Sequence, residues 1–477
     1  MEPVSTGSPV QWERANSFGA KMKGFNVESS NGSLGTSFIS SRRHMLELLG
    51  AGAAMPFLAS LAACSSGGGT AAATSGGGPA GKLTYVYNGN AQTAPAQKAQ
   101  FEGFLKVNPA VDFVAQAIPA ANWAGFSDAI ATRIAGGAAP DVVDITTEGL
   151  ALFRTKKLVK SLDPYIAKNK TVIDEYFADL DPMYKKISDQ YGNPGGVTYF
   201  MPGGFNTVCT WANTDVFHQA GVDLPGDSDW TWVEYEAAAK KIKAATGAYI
   251  AFGDTGQFNG IMPWLLTNGA STMNADWTQP TIDSDAAIES AQWYAMMVAK
   301  GYFTKPGGTV DQPALVSQGK VASLWAGMWQ NAEFRTLKMT DKLQVVKMPK
   351  NKMNGSPIGW DTYPILSSSQ NPDTAWAFLE YLTTKANGIA FAEAAGNNIP
   401  ARKSVAQSSV FTDNAPKGVQ LLVDAVQYAT AVPSPPRGDL TQNAIEQAWT
   451  QIATGAVQAD VGLKQLNEQL APLISQS

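Results

Sequence analysis

The chain has 477 residues, 44% of them apolar and 16% charged, which supplies enough apolar surface for two or three packed domains and excludes disorder as an overall description. Asp and Glu (40) outnumber Lys and Arg (35), for a formal net charge of −5 and no basic run, so the electrostatic footprint of a nucleic-acid binder is missing. Two histidines, His44 and His218, are too few for most His-based metal or acid–base sites, whereas 13 Trp, 14 Tyr and 20 Phe form a surplus of flat, amphipathic rings.

The first segment in chain order is an address. Residues 41–64 read SRRHMLELLGAGAAMPFLASLAAC: a twin arginine (Arg42, Arg43), a mostly apolar run, and small residues before a cysteine, the pattern of an export signal. The run is about 16 residues, broken by Gly and Pro, against the ~20 that a spanning helix needs. Ser41-Arg42-Arg43 resembles a twin-arginine signal, and Leu61-Ala62-Ala63-Cys64 resembles the lipobox of bacterial lipoproteins. The resemblance implies diacylation of Cys64, which leaves Cys209 as the only thiol of the exported chain and no intramolecular disulfide. Residues 1–63 are assigned to this signal, those before Ser41 reading as an extended n-region or an overcalled start. Residues 64–81, rich in Gly, Ser and Ala, are expected to form a flexible tether.

A strand is expected at 83–87, ended by Asn88-Gly89-Asn90. A helix over 94–107 stops at Asn108-Pro109, a strand follows at 111–116, a helix at 126–134 ends at Gly136-Gly137, and 140–145 reads as a buried strand. This alternation predicts βαβ units and mainly parallel sheets. Met201-Pro202-Gly203-Gly204, lying between extended runs at 197–199 and 207–211, is backbone-permissive and suits a crossing between lobes. Helices are expected at 232–245, 285–300 and 374–383, strands at 321–325, 344–348 and 362–366, and a helical pattern over 440–474. There is no internal repeat.

Catalytic signatures are scarce. G-x-S-x-G, H-E-x-x-H, C-x-x-C and the P-loop pattern are all absent, and neither a metal nor a cofactor is expected. Ser317-Gln318-Gly319-Lys320 matches S-x-x-K but lacks its S-D-N and K-T-G companions. His218 reads as a solvated residue and Cys209, in an apolar strand, as a buried inert thiol. Asp141 with Asp144, or Asp227 with Asp229, could be written as a glycosidase pair, although a strand start and a polar loop account for them better. What remains is rings and amides at expected loops: Trp264 ahead of Asn268-Gly269, Trp329 after Gly327-Met328, and Trp360-Asp361 after Gly359. Trp293 and Trp376, on helices, read as packing residues. Pyranose C–H faces stack on apolar rings while Asn, Asp, Glu and Arg hold hydroxyls, and a ligand lacking a hydroxyl is rejected because buried polar groups stay unpaired.

Four further stretches follow in order: Gly136-Gly137-Ala138-Ala139-Pro140-Asp141-Val142-Val143; Trp211-Ala212-Asn213-Thr214-Asp215-Val216-Phe217 with Trp230-Thr231-Trp232; Gln318-Gly319-Lys320-Val321-Ala322 with Gly327-Met328-Trp329; and Ala394-Ala395-Gly396 with Ile399-Pro400-Ala401-Arg402. In this ordered set the chain resembles the family 1 extracellular solute-binding proteins of ABC sugar importers, the maltose-binding-protein-like group, over nearly all of 82–477. The resemblance implies a two-lobed α/β fold of the type II periplasmic-binding kind, each lobe a mainly parallel sheet flanked by helices, with the ligand in the interlobe cleft. The N-lobe is expected at 82–204 plus 350–396 and the C-lobe at 205–349 plus 397–477. Carried over residue by residue, ligand contacts fall on Asn88, Asn90, Glu148, Asn206, Trp329, Trp360, Asp361 and Arg437; Trp264 joins them from the reading of the rings. An amide at Asn206 where the maltodextrin binders carry an acid, and Ile145 where they carry a ring, count against maltodextrins. The implied partners are a mono- or oligosaccharide or related polyol, the transmembrane subunits of an ABC permease, and the membrane through a lipid anchor, for a monomeric chain that is not an enzyme. The alternative is a secreted carbohydrate-active enzyme, a glycosidase with a cleft carboxylate pair tested at Glu148 or Asp361.

Overall fold

A computed structural model describes residues 79–90, 94–120, 122–308, 310–413 and 415–475; Arg42, Arg43, Cys64 and nearly all of the tether lie outside the described residues. In chain order the strands are β1 (Gly81–Tyr87), β2 (Val111–Ala117), β3 (Val142–Val143), β4 (Ile145–Thr146), β5 (Met201–Thr207), β6 (Cys209–Asn213), β7 (Tyr249–Ala251), β8 (Val321–Ala326), β9 (Leu343–Val346), β10 (Ser356–Tyr363) and β11 (Ala429–Ala431).

The first lobe is built on β2-β1-β3, all parallel, with the intervening helices Ala94–Val107 and Trp123–Ala135 as crossovers. Asn122 starts the second of these by accepting the Gly125 N–H at 2.7 Å, as an N-cap does. Tyr85, Phe101, Phe104, Phe113 and Phe378 form one ring cluster between sheet and helices, so much of the aromatic surplus is core. Asp141, entering β3, accepts hydrogen bonds from Thr84 N–H (2.9 Å), Thr84 Oγ1 (2.7 Å) and Ser369 Oγ (2.6 Å). Burial alone would raise its pKa, but these donors hold it below the ordinary value, so Asp141 is a strand anchor.

The second lobe carries β7-β8-β6-β9, in which only the β7–β8 pair is parallel. This departs from the expected mainly parallel sheet, because β6 arrives from the crossing strand β5 with only Val208 between them. Cys209 opens β6, 1% exposed, and burial pushes its thiol well above the ordinary range, while His218 is exposed. Trp376 is packed on Tyr165 and Trp293 on Trp232.

Between the lobes β10 pairs antiparallel with β5 and β4 and parallel with β11. It begins well before the expected 362–366, because pairing on both edges overrides the poor strand propensity of Pro357 and Gly359. Two stretches sit across the expected lobe boundaries. Lys350 and Lys352 bond Asp229 and Glu289 of the second lobe, and Arg402 bonds Thr383 O and Asp179 of the first. The C-terminal helical pattern is two helices, Gly438–Ala453 and Ala459–Ser475, with Gly455 at φ 78° between them.

Candidate ligand-binding site

Strand pairing at the crossing gathers residues distant in sequence. Asn206 lies opposite Gly359 and Phe205 opposite Trp360 across β5–β10, while Thr146 lies opposite Asp361 across β4–β10. The Asp144 N–H bonds Val86 O at 2.9 Å, so Asn88, just past β1, emerges beside residues 145–148. Ligands of α/β sheets bind at such carboxyl ends of strands.

Asn206 is the hub of the crossing. Its Nδ2 donates to Asn397 O (3.0 Å) and Asn398 Oδ1 (2.6 Å), and its Oδ1 accepts the Met328 N–H (2.8 Å). An ionised acid could not donate to the Asn397 carbonyl, which accounts for an amide at this position. Beside it, a Cβ on Gly327 would lie 2.4 Å from the Trp329 ring and 2.8 Å from Thr207 O, so only glycine lets that ring rest against the crossing. Phe258 meets Trp329 edge to face, centroids 5.7 Å apart at 65°, and both rings are half-buried. Phe258 sits in a π-turn, Gln257–Ile261, a conformation frequent at functional sites, and Glu446 accepts the Gln257 N–H at 3.0 Å. On the facing wall Thr147 Oγ1 accepts the Trp360 N–H at 3.1 Å.

Three carboxyls border this corner. Glu148, in the first turn of the helix Thr147–Thr155, accepts from Thr146 Oγ1 at 2.7 Å; burial raises its pKa and the Thr146 bond partly offsets the rise. Asp361, bonded by Asn398 Nδ2, is pushed up to about 7, by burial first, against the Asn398 bond and with the Glu148 charge adding to the rise. Asp144 is raised by burial and then by Asp361. At about 7 the Asp361 carboxyl is partly protonated in neutral solution, able to donate as well as accept hydrogen bonds. Among the described residues no group of three or more His, Cys, Asp or Glu is placed to hold a metal ion.

The structure thus gathers Glu148, Asn206, Trp329, Trp360 and Asp361. Asn88 stands at the margin, its Oδ1 accepting the Ala120 N–H at 3.2 Å, and Asn90 is exposed just beyond. Arg437, also exposed, precedes the helix Gly438–Ala453, where a Cβ on Gly438 would lie 3.5 Å from Glu148 O. Two rings differ from expectation. Trp360 is in β10 and not in a loop, 1% exposed with its ring edge-on to Tyr184 at 6.3 Å. Trp264, in the short helix Met262–Leu266, is 0% exposed and ringed by Trp232, Tyr235, Trp293, Tyr294, Phe303 and Trp325. It is a core residue, with no face left for a ligand. Phe258 and Thr147 are additions. A ring a few residues past the strand β7, after Gly253 and Gly256, was a usable signal for Phe258; nothing local marked Thr147.

Two α/β lobes joined by crossing strands, with amide, carboxyl and ring side chains gathered at the crossing, define a protein that encloses a ligand between its halves. The chain belongs to the bacterial extracellular solute-binding proteins, whose family model matches residues 88–389, more than half of the chain. Its fold is shared with the ABC substrate-binding protein Lmo0181 from Listeria monocytogenes, solved in complex with cycloalternan (22% identity, 83% of this chain and 99% of that one, TM-score 0.73). It is shared too with the GacH receptor of Streptomyces glaucescens, solved unliganded and with acarbose (21% identity, 83% and 99%, TM-score 0.71). A third match is the sugar-binding protein MalE from Xanthomonas citri (18% identity, 83% and 98%, TM-score 0.69). No helix of the described residues is long and apolar enough to cross a membrane.

Proposed function

We propose that the chain is the substrate-binding protein of an ABC importer, holding a mono- or oligosaccharide or related polyol between its lobes and passing it to the transmembrane subunits. The observation that carries this is the corner where the half-buried rings of Trp329 and Phe258 meet edge to face beside the Asn206 amide and the carboxyls of Glu148 and Asp361. The rings suit the C–H faces of a sugar, and the polar groups suit its hydroxyls. The cycloalternan bound by Lmo0181 and the description of the Xanthomonas citri MalE as a sugar-binding protein support the same class. We further propose direct ligand contacts at Asn88, Glu148, Trp329 and Phe258, with Asn90 and Arg437 closing the margins and Asn206 and Trp360 framing the site. In this reading the protein is a monomer without catalytic activity, exported through Arg42 and Arg43 and held at the extracytoplasmic face of the cell membrane by a lipid on Cys64.

Titration with a panel of sugars and polyols, read by tryptophan fluorescence and thermal melting, tests the binding role. Saturable binding on the order of micromolar Kd with a raised Tm and recovery of intact sugar is expected. Silence across the panel would overturn the proposal, and cleavage of the sugar would replace it with the glycosidase reading. Cys64→Ser should release the exported protein from the membrane fraction; retention there would remove the lipid anchor.

A further inference from the structure

A second cavity, sharing no residue with the corner just described, lies where the lobes meet again. It has a volume of about 480 Å³, within the few-hundred-Å³ range of small-molecule sites. One wall is Tyr191, at the end of the helix Pro182–Gly192 of the first lobe. Trp277, on a second-lobe loop, lies flat against it, so the two rings make one continuous wall. Their rings stack with centroids 4.2 Å apart and planes within 7°, and Tyr191 Oη donates to Ala275 O at 2.9 Å.

The loop that carries Trp277 is built with care. Asn274 Oδ1 accepts the N–H groups of Thr278 (2.8 Å) and Gln279 (3.1 Å), and the turn holds Trp277 at φ 57°. A bulky residue in the left-handed region costs on the order of 1–2 kcal/mol, and backbone held this way is a pointer to function. A third ring, Tyr428, and the buried Ser271 hydroxyl, which has no hydrogen-bond partner among the described residues, complete the lining, in which no acidic or basic side chain takes part; the amides of Asn274 and Asn354, also in the lining, are bonded to Thr278 and Asp229.

We propose that this cavity is a second binding site, distinct from the cleft, for a neutral hydroxylated ring compound, the chemistry of a free sugar or cyclitol. Rings and uncharged hydrogen-bonding groups are what such a ligand can use, and the missing charges leave an ionic ligand without a partner. Because the two rings belong to different lobes, an occupant ties them in the relation seen here, and any lobe movement must alter the Tyr191–Trp277 spacing. Occupancy is thereby coupled to the cleft.

Saturation-transfer NMR with maltose, D-glucose and myo-inositol tests this on the wild type, Trp329→Ala, and Trp329→Ala combined with either Trp277→Ala or the cavity-filling Ser271→Trp, each checked for an intact melt. A signal from at least one probe should persist in Trp329→Ala and weaken by roughly fivefold or more in both combined variants. Loss of every signal in Trp329→Ala alone would overturn the second site and leave the importer reading standing. A residual signal unmoved by Trp277→Ala and Ser271→Trp would place the sugar elsewhere and also overturn it. No signal in any protein, wild type included, would count against both readings.

Discussion

Two tryptophans that look alike in the sequence part company in the structure, and their truncations should fail in different assays. Trp329→Ala removes a half-buried ring beside Asn206, so sugar affinity is expected to fall roughly tenfold or more with Tm little changed. Trp264→Ala empties the centre of a seven-ring core and should cost about 3–5 kcal/mol of stability, measurable by denaturant unfolding. The reverse pattern would exchange their roles. Asp361 carries a pH signature. Its carboxyl titrates at about 7 in the fold against ~4 in an unfolded chain, so the folded state binds the proton more tightly. Stability from that proton is complete below the unfolded value and is lost as pH rises through the folded one. Wild-type Tm should therefore decline across that window while Asp361→Asn stays flatter; parallel curves would refute the assignment. The family resemblance pointed to Trp329, and the reading of rings at expected loops set Trp264 beside it with nothing local to separate the two. Burial of a ring depends on six partners spread from Trp232 to Trp325, a property of the tertiary fold alone.

At the level of elements, much was legible wherever local signals sufficed. The helix Trp232–Thr246 has its capping box of Thr231 and Glu234 and a left-handed Gly247 at φ 75°, both written in the sequence. β10 was not legible, because its register depends on β4, β5 and β11 arriving from three other segments. For the same reason Trp360 and Asp361 read as loop residues and Thr147 escaped notice. The turn after β8 offers a test that removes no side chain from the corner. Gly327→Ala places a methyl 2.4 Å from the Trp329 ring, 2.6 Å from Asn206 Oδ1 and 2.8 Å from Thr207 O, and the ring and the amide are the parts able to give way. Binding should weaken by about tenfold with secondary structure intact by circular dichroism. Unchanged affinity would mean that the position of Trp329 does not matter to the ligand.

At the scale of the whole molecule, β5, β10 and the segment around Leu422 are stitched at one place. Thr207 Oγ1 donates to Leu422 O, and Ser356 Oγ accepts the Val208 N–H at 2.8 Å while lying 3.1 Å from Val208 O. Lobe movement is expected to pivot on this buried knot, since Asp229 and Glu289 hold Lys350 and Lys352 to the second lobe. Ser356→Ala leaves the Val208 N–H unpaired, at a cost of about 1–3 kcal/mol, and should both lower Tm and broaden the interlobe distances seen between spin labels. A melt and a distance distribution identical to wild type would move the pivot elsewhere. Cys209 gives that measurement an unplanned convenience. The chain has two cysteines; the one among the described residues, Cys209, is sealed at 1% exposure and kept protonated by its surroundings. A fragment starting after Cys64 is in effect blank to thiol chemistry, so a single introduced cysteine at the rim would take up a dye alone, and the protein could be turned into a fluorescent sensor for its own ligand without first being stripped of native sulfur.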